Sequence, residues 1–484
     1  MARDRALRAL AFDANNLPSE FSADALIRIA GSGRVTDRAW QRELLDAAFM
    51  RAYGAQEQYR RSTTQPLPPD SRQGANRLAY DASITRVSLQ IRAVQLMAFV
   101  DPARARELFE WIDLNLAPAA CGDPLVPSVD EYYTALSQLA RTTFGAQRGE
   151  GVRFLELYLW RAFLPSEMPS VALAIQRFRP TPAEGAYLEG RLRLIFESGV
   201  ADARGFSSAD LDLVSRVTDL QTADRAIGVP NWYVMDALRD YLIAQLKGPR
   251  CADSATEPMV PSTFNAALRL IGADKDVTPI EDAAARSSRT LGAARIDPYW
   301  QTFESRRLYD AEHGLHGPDA APRPLKERQT PEWLEGAVLF LTSLEQWTGL
   351  REPAERDYFY QKSVLFTGLI DLIPPGALHL RAVRAYVDFL RRANVDRDGR
   401  ALWFAMLHRF LEMARGVNRR EILAALEESN HPALALYAKL ERATPVARAG
   451  TRPPTDGILA RRWTPAALRS SSGTAAADRA VAPF

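Results

Sequence analysis

Apolar residues recur along most of the chain at the spacing of one helix face. Leu108, Ile112 and Leu116 lie four residues apart and therefore share one side of an α-helix. Residues 181–184 (TPAE) combine a capping box with proline at the first helical position, and residues 278–281 (TPIE) repeat the arrangement. Segments that alternate with period two between hairpin turns are missing. The pattern predicts an all-α protein.

Short turns rich in proline, glycine and serine separate the predicted helices. Helices joined in this way pack as antiparallel neighbours, so we expect stacked antiparallel helix pairs in a solenoid-like or α/α-toroid-like array. Three segments, 338–344, 364–373 and 402–413, are apolar on nearly every side. We expect them to be central helices covered on both sides.

Changes in composition divide the chain into six segments. Prolines cluster after the first helical signals, the helical periodicity weakens after residue 250, and the end of the chain is rich in small residues and proline. The predicted segments are an N-terminal helical unit (1–61), a Pro-rich linker (62–75), a helical array (76–250), a loop-rich connecting segment with short helices (251–330), a C-terminal helical unit (331–443) and an extended or disordered tail (444–484).

The charge of the chain is almost balanced. Its 61 basic and 59 acidic residues leave a net charge of +2, whereas a nucleic-acid-binding surface needs a large uncompensated basic field. Apolar runs stay well short of the roughly 18 residues that span a bilayer. We therefore expect neither nucleic-acid binding nor a transmembrane segment. The basic residues are nearly all arginine, which we attribute to genome composition.

The two cysteines lie in similar settings. Cys121 and Cys251 each follow a predicted helix and each precede an aspartate by two residues and a Val-Pro-Ser sequence further on. Equivalent turns of stacked helix pairs lie side by side, so we predict a Cys121–Cys251 disulfide, which requires an oxidising compartment. On that basis the protein is periplasmic or secreted, with its signal peptide removed. The alternative is a cytoplasmic protein with two buried thiols.

Two groups of aromatic residues are candidate ligand contacts. Asn231, Trp232 and Tyr233 follow a proline at a predicted helix start, and Tyr132 and Tyr133 form a second pair. Aromatic and amide groups at the mouth of a helical array suit a sugar or peptide groove. The alternative is that these rings pack in the core, as aromatic residues at helical spacing commonly do.

Two segments have features of metal sites, although we expect neither to bind an ion. His313 and His316 lie three residues apart among carboxylates, which Zn²⁺ accepts as ligands, but the surrounding glycines indicate a loop that does not fix ligand geometry. Residues 394–399 are similar to the first half of an EF-hand loop, yet its twelfth position is Ala405 rather than glutamate. The sequence predicts no bound metal and no other cofactor.

Catalytic motifs are missing from the sequence. It contains no Gly-x-Ser-x-Gly elbow, no phosphate-binding Gly-x-x-x-x-Gly-Lys and no Gly-x-Gly-x-x-Gly after a strand. We therefore expect a non-catalytic helical scaffold that binds a protein, a peptide or a glycan. One alternative is a carbohydrate-active enzyme on an α/α toroid with paired carboxylates, since that class leaves almost no local motif. Another is a structural envelope or assembly component, which exposes a large apolar patch.

Overall fold

Helices account for nearly all of the regular structure in this computed structural model, and the expected all-α fold is confirmed. Within the described residues, the helices are accompanied by two strands of three residues each. The described residues are 2–55, 60–62, 82–114, 125–127, 129–162, 164, 167–200, 208–229, 232–247, 265–266, 268–269, 303–317, 321–348, 355–393, 400–414 and 419–443.

The elements follow one another along the chain with short connections. The first half of the chain contains α1 (Ala2–Ala14), α2 (Ser19–Ala30), α3 (Arg38–Ala52), β1 (Arg60–Ser62), α4 (Arg86–Val100), α5 (Pro102–Glu110), β2 (Leu125–Pro127), α6 (Asp130–Thr142), α7 (Arg148–Leu159), α8 (Met168–Phe178), α9 (Pro182–Gly199), α10 (Ser208–Ile227) and α11 (Trp232–Lys247). The second half contains α12 (Phe303–Gly314), α13 (Leu325–Arg328), α14 (Pro331–Gln346), α15 (Glu355–Leu372), α16 (Ala377–Arg392), α17 (Arg400–Met413), α18 (Arg419–Glu428) and α19 (Pro432–Ala443).

The chain divides into two compact units, and the six segments expected from composition stay a prediction. The units combine segments that are distant in sequence. Unit 1 comprises Met1–Asp297, Val395–His408 and Asn430–Thr444, and unit 2 comprises Pro298–Asn394, Arg409–Ser429 and Pro445–Phe484.

Helices in unit 1 pack in a regular order. α2 packs against α3 and α4, α4 against α6, α6 against α8, and α8 against α10. On the same principle α7 packs against α9, and α9 against α11. A helix therefore contacts the next helix but one as well as its neighbour in sequence. At one end of this series, α1 and α2 pack against α19 from near the other end of the chain.

A buried carboxylate joins α2, α4 and α19 inside unit 1. Asp24 is 1% exposed and accepts from Arg28 Nε at 2.8 Å, Arg92 at 2.7 Å and the Tyr437 hydroxyl at 2.8 Å. Burial alone would raise the pKa of Asp24, but the two guanidinium groups outweigh it and the pKa is lowered. The carboxylate is therefore ionised and fully hydrogen-bonded, which makes its burial tolerable.

Arginine side chains bind the carbonyl groups at the ends of neighbouring helices. Arg106 donates to the Thr143 carbonyl at 2.7 Å and Arg148 donates to the Arg179 carbonyl at 2.8 Å in unit 1. In unit 2, Arg328 donates to the Leu372 carbonyl at 2.7 Å. A helix leaves its last carbonyls unpaired and carries partial negative charge there, so an extended guanidinium with five donors suits this position.

The core of unit 2 is built on α15 and α16. The rings of Phe366 and Tyr386 pack with their centroids 5.4 Å apart, and both residues are at most 1% exposed. Lys362 is 5% exposed and donates to the Trp347 carbonyl, at the end of α14, at 2.6 Å. Burial lowers the pKa of Lys362 to about 8. This lysine therefore serves the same helix-end position that arginines serve elsewhere.

One of the three segments expected to be covered on both sides is not. In α14, Val338 and Leu339 are 37% and 63% exposed, so the expectation is wrong for residues 338–344. One stripe that includes Phe340 and Leu341 is sufficient to attach α14 to unit 2, and surfaces tolerate single apolar residues. The cores of the other two segments, 364–373 and 402–413, are largely buried.

The two strands form a short antiparallel pair that the sequence pattern did not indicate. Arg60 pairs with Pro127 and Ser62 with Leu125. Three residues are too few for an alternating pattern to be recognised. None of the described helices combines the length and the apolar character that crossing a membrane requires.

Candidate functional site

A concave surface with exposed aromatic residues lies between α7 and α9 in unit 1. It has a volume of about 590 Å³ and extends to Tyr233 on α11. Trp160, Tyr187 and Leu194 are 55%, 56% and 45% exposed there. We call this surface the α7–α9 groove. Its lining includes Glu156, Trp160, Tyr187, Gly190, Arg191 and Leu194.

Glu156 holds the two aromatic residues of the groove in place. Its Oε1 atom accepts a hydrogen bond from Trp160 Nε1 at 3.1 Å and another from the Tyr187 hydroxyl. The bond to the carboxylate raises the pKa of Tyr187, because it stabilises the protonated phenol. Two rings from two helices are thus anchored to one carboxylate, and their remaining surface faces solvent.

Arg191 supports Trp160 from behind. Its guanidinium lies 4.7 Å from the centre of the indole and donates to the carbonyls of Leu159, Trp160 and Ala162 at 3.1, 3.1 and 2.8 Å. These bonds cap the end of α7 in the way described above for other arginines. The cation–π contact and the carbonyl bonds together fix the orientation of the indole.

The outward face of α9 forms the rest of the groove. Arg193 and Glu197 form an ion pair at 2.6 Å, and this pair lies next to the exposed Leu194. Gly190 lies on the same face, one turn from Tyr187, and no described atom comes within 4 Å of the position that a Cβ would take. A glycine inside a helix costs about 1 kcal/mol relative to alanine. Packing among the described residues does not require it.

Tyr233, one of the predicted ligand contacts, connects the groove to a pair of buried acids. It lines the groove, and its hydroxyl donates to the Ala186 carbonyl at 3.2 Å. Burial, and then the nearby Glu189 and Asp224, raise the pKa of Tyr233. These acids are 0% and 2% exposed. Burial raises the pKa of Glu189 to about 9, with a further contribution from Asp224, so Glu189 is protonated at neutral pH.

Tyr132 and Tyr133, the other predicted pair, lie in the interior of unit 1. They are 6% and 1% exposed, and the ring of Tyr132 stacks on Phe109 at 4.7 Å. The Tyr133 hydroxyl donates to the buried Glu167 at 2.9 Å. The structure therefore places these two rings away from the groove, and their ligand role stays a prediction.

The structure leaves several predicted sites untested. Trp232 is the first residue of α11, but its side chain lies outside the description, as does the whole of Asn231. Cys121 and Cys251 also lie outside the described residues, so their disulfide and the export that it implies stay predictions. The same is true of residues 394–399, the segment with EF-hand features.

His313 and His316 lie at the end of a helix rather than in a loop, which corrects the conformation expected from the neighbouring glycines. His313 belongs to α12, and His316 follows within the helix-ending turn. His316 Nε2 lies 3.3 Å from Glu312 Oε1, and His313 Nδ1 lies 3.8 Å from Glu312 Oε2. Both imidazoles therefore share one buried carboxylate. Among the described residues, no group of three or more potential metal ligands is formed.

Trp160, Tyr187 and Glu156 were not recognised from the sequence as a site. Glu156 and Trp160 fall in an apolar stretch that looks like a buried helix, and Tyr187 stands alone on α9. Their convergence depends on the packing of α7 against α9, which no local pattern reports. The available signal was the pair of large aromatic residues on helix faces that also carry charged residues.

No protein-family model matches the chain, and comparison with curated proteins and with solved structures finds no significant similarity. The functional argument therefore depends on the geometry of the groove.

Proposed function

We propose that this protein is a non-catalytic helical binding protein and that a peptide segment of its partner docks in the α7–α9 groove. The observation that carries the proposal is the exposure of Trp160 and Tyr187, each more than half exposed in a concave surface and each anchored to Glu156. Exposed aromatic residues that are already fixed in orientation lose little further entropy on binding.

The composition of the groove favours a protein or peptide over other ligands. Tryptophan, tyrosine and arginine are the residues most enriched in the energetic centres of protein interfaces. All three types line the groove, and Leu194 adds an aliphatic contact. The groove is shallow and carries both signs of charge, unlike the deep acidic pockets of carbohydrate-active enzymes.

The arrangement of helices in unit 1 supports a scaffold role. Each helix from α2 to α10 packs against the next but one as well as against its neighbour in sequence in most cases. We propose that this order reflects a solenoid-like stack of antiparallel helix pairs. Such stacks expose helix faces in series and provide extended binding surfaces.

The buried acids Glu189 and Asp224 are the observation in favour of an enzyme with paired carboxylates. A raised pKa on one member of a carboxylate pair is characteristic of an acid–base site. Both acids, however, are at most 2% exposed, and neither lines the groove. A substrate in the groove would not contact them, so we place this alternative second.

Selection of a randomised peptide library on the full-length protein tests the proposal. Trp160→Ala should weaken binding of the selected peptides by about 30-fold, the loss expected for an aromatic residue at the centre of an interface. Trp111→Ala is the matched control, because Trp111 is 47% exposed and lies under Arg104 at 5.1 Å, outside the groove.

Two results would contradict the proposed function. One is the failure of any peptide to bind in a manner that depends on Trp160. The other is equal loss of binding in the Trp160 and Trp111 variants. A glycan array with the same two variants distinguishes the competing ligand class, because Trp160-dependent glycan binding without peptide binding would replace the proposal.

A further inference from the structure

One negative charge in the groove has no cationic partner among the described residues. Glu156 accepts both of its hydrogen bonds, from Trp160 and Tyr187, on Oε1, and both donors are neutral. Its Oε2 atom receives no hydrogen bond from a described residue. A carboxylate in this position attracts a positive charge from a ligand, since nothing beside it neutralises it.

The other charges of the groove are already engaged. Arg193 is paired with Glu197 at 2.6 Å. Arg191 donates to three backbone carbonyls and lies against Trp160. Neither arginine is within ion-pair distance of Glu156. The charge that a ligand can complement is therefore negative, and it lies between two exposed aromatic rings.

A cation is the group that this arrangement fits. Arginine and lysine side chains are attracted to the faces of tryptophan and tyrosine rings as well as to carboxylates. Trp160 has Arg191 on one side and remains 55% exposed, which leaves ring surface for a second cation. Two rings and a carboxylate thus provide three favourable contacts for one positively charged side chain.

Gly190 indicates where the backbone of the ligand passes. It lies on the groove face of α9 between Tyr187 and Leu194, and the space above it is open. The absence of a side chain allows a peptide backbone to approach the helix closely at this point. The distance along α9 from Tyr187 to Gly190 is about 4.5 Å, or three residues of helix rise, so a side chain extending from that backbone reaches Glu156.

We propose, on the basis of the peptide-binding function above, that the groove recognises a basic peptide segment. An arginine or lysine side chain of this segment binds Glu156 between Trp160 and Tyr187, and the peptide backbone crosses α9 at Gly190. Leu194 contacts an apolar side chain further along the same peptide.

The test uses peptides from the library selection on the full-length protein. We expect selected sequences to carry arginine or lysine at one shared position. A fluorescently labelled consensus peptide should bind about tenfold more tightly than the same peptide with glutamine at that position. Glu156→Gln should reduce this ratio to about one while the glutamine peptide still binds, because the amide oxygen still accepts from Trp160 and Tyr187.

Gly190→Ala tests the path of the backbone. It should weaken binding of both peptides without lowering the stability of the protein, because alanine favours the helix. Gly149→Ala in α7 is the matched control, since the space at Gly149 is also open but Gly149 does not line the groove. Loss of binding by Gly149→Ala as well would overturn the assignment of the path.

The outcomes separate the inference from the proposed function. Peptides that bind in a Trp160-dependent manner but show no preference for a cation would overturn the inference and leave the peptide-binding function intact. A cation preference that survives Glu156→Gln would also overturn it. Failure of every peptide to bind at Trp160 would overturn the proposed function itself.

Discussion

The two faces of α9 differ in a way that reverses the usual distribution of residues. On the groove face, Tyr187 and Leu194 are 56% and 45% exposed, although both are apolar enough to favour burial. On the opposite face, Glu189 is 0% exposed between the buried Leu188 and Leu192. Proteins place acids outside and large apolar residues inside unless another requirement intervenes. An inverted helix of this kind therefore marks positions selected for something other than stability.

Truncation of the buried face should have the largest effect. Phe196 is fully buried and packs with its ring 5.9 Å from that of Tyr241. We expect Phe196→Ala to lower the free energy of unfolding by about 3–5 kcal/mol, as for other buried phenylalanines. Tyr187→Ala on the groove face should change it by less than about 1 kcal/mol. Urea denaturation measures both, and similar losses would show that the groove face is structural.

A pH-dependent effect should follow from the buried acid. Between pH 4.5 and about 9 the folded protein retains a proton on Glu189 that the unfolded chain releases. The free energy of unfolding contributed by this group therefore decreases as the pH rises through that window. Glu189→Gln carries no such proton and should be more stable than the wild type at pH 8, by more than about 1 kcal/mol.

This difference should shrink towards pH 5, where the unfolded chain also retains more of the proton. Denaturation at the two pH values is the measurement. Glu197→Gln on the groove face is the control, and it should differ from the wild type by less than about 0.5 kcal/mol at both. An equal stability of Glu189→Gln and the wild type at pH 8 would show that Glu189 is ionised in the folded protein.

The smallest effect is expected at the glycine of the groove face. Gly190→Ala should raise the free energy of unfolding by up to about 1 kcal/mol, because alanine restricts the unfolded chain and favours the helix. Gly149→Ala should give an equal or smaller gain, since Gly149 lies in the first turn of α7. A loss of stability in Gly190→Ala would mean that α9 is packed more closely at this position than the described residues indicate.

The sequence predicted much of the fold because caps and helical spacing are local properties. Thr181 and Glu184 form the expected capping box at the start of α9. The groove was not predicted, because Glu156 and Tyr187 are 31 residues apart and meet only after two helices have packed. The aromatic pair Tyr132 and Tyr133 illustrates the same limit, since composition alone does not distinguish a core ring from an exposed one.

The arginine content illustrates how a structural cause can be mistaken for a compositional one. From the sequence alone we attributed it to genome composition. In the structure, Arg106, Arg148 and Arg328 each reach the carbonyl end of another helix. A planar group with several donors at the end of a long stem performs this role better than lysine does. The requirement depends on which helix ends lie nearby, and that information is not local.

The contact between Asp24 and Tyr437 has a consequence for synthesis on the ribosome. The two residues are 413 positions apart. At about 5–20 residues per second, the helices that hold Asp24 wait on the order of 20–80 s before their partner has been made. During that interval α1 and α2 lack the surface of α19 that covers them in the finished protein. The first helices to leave the ribosome are therefore among the last to reach their final packing, and a nascent chain exposes their apolar residues to chaperones throughout its translation.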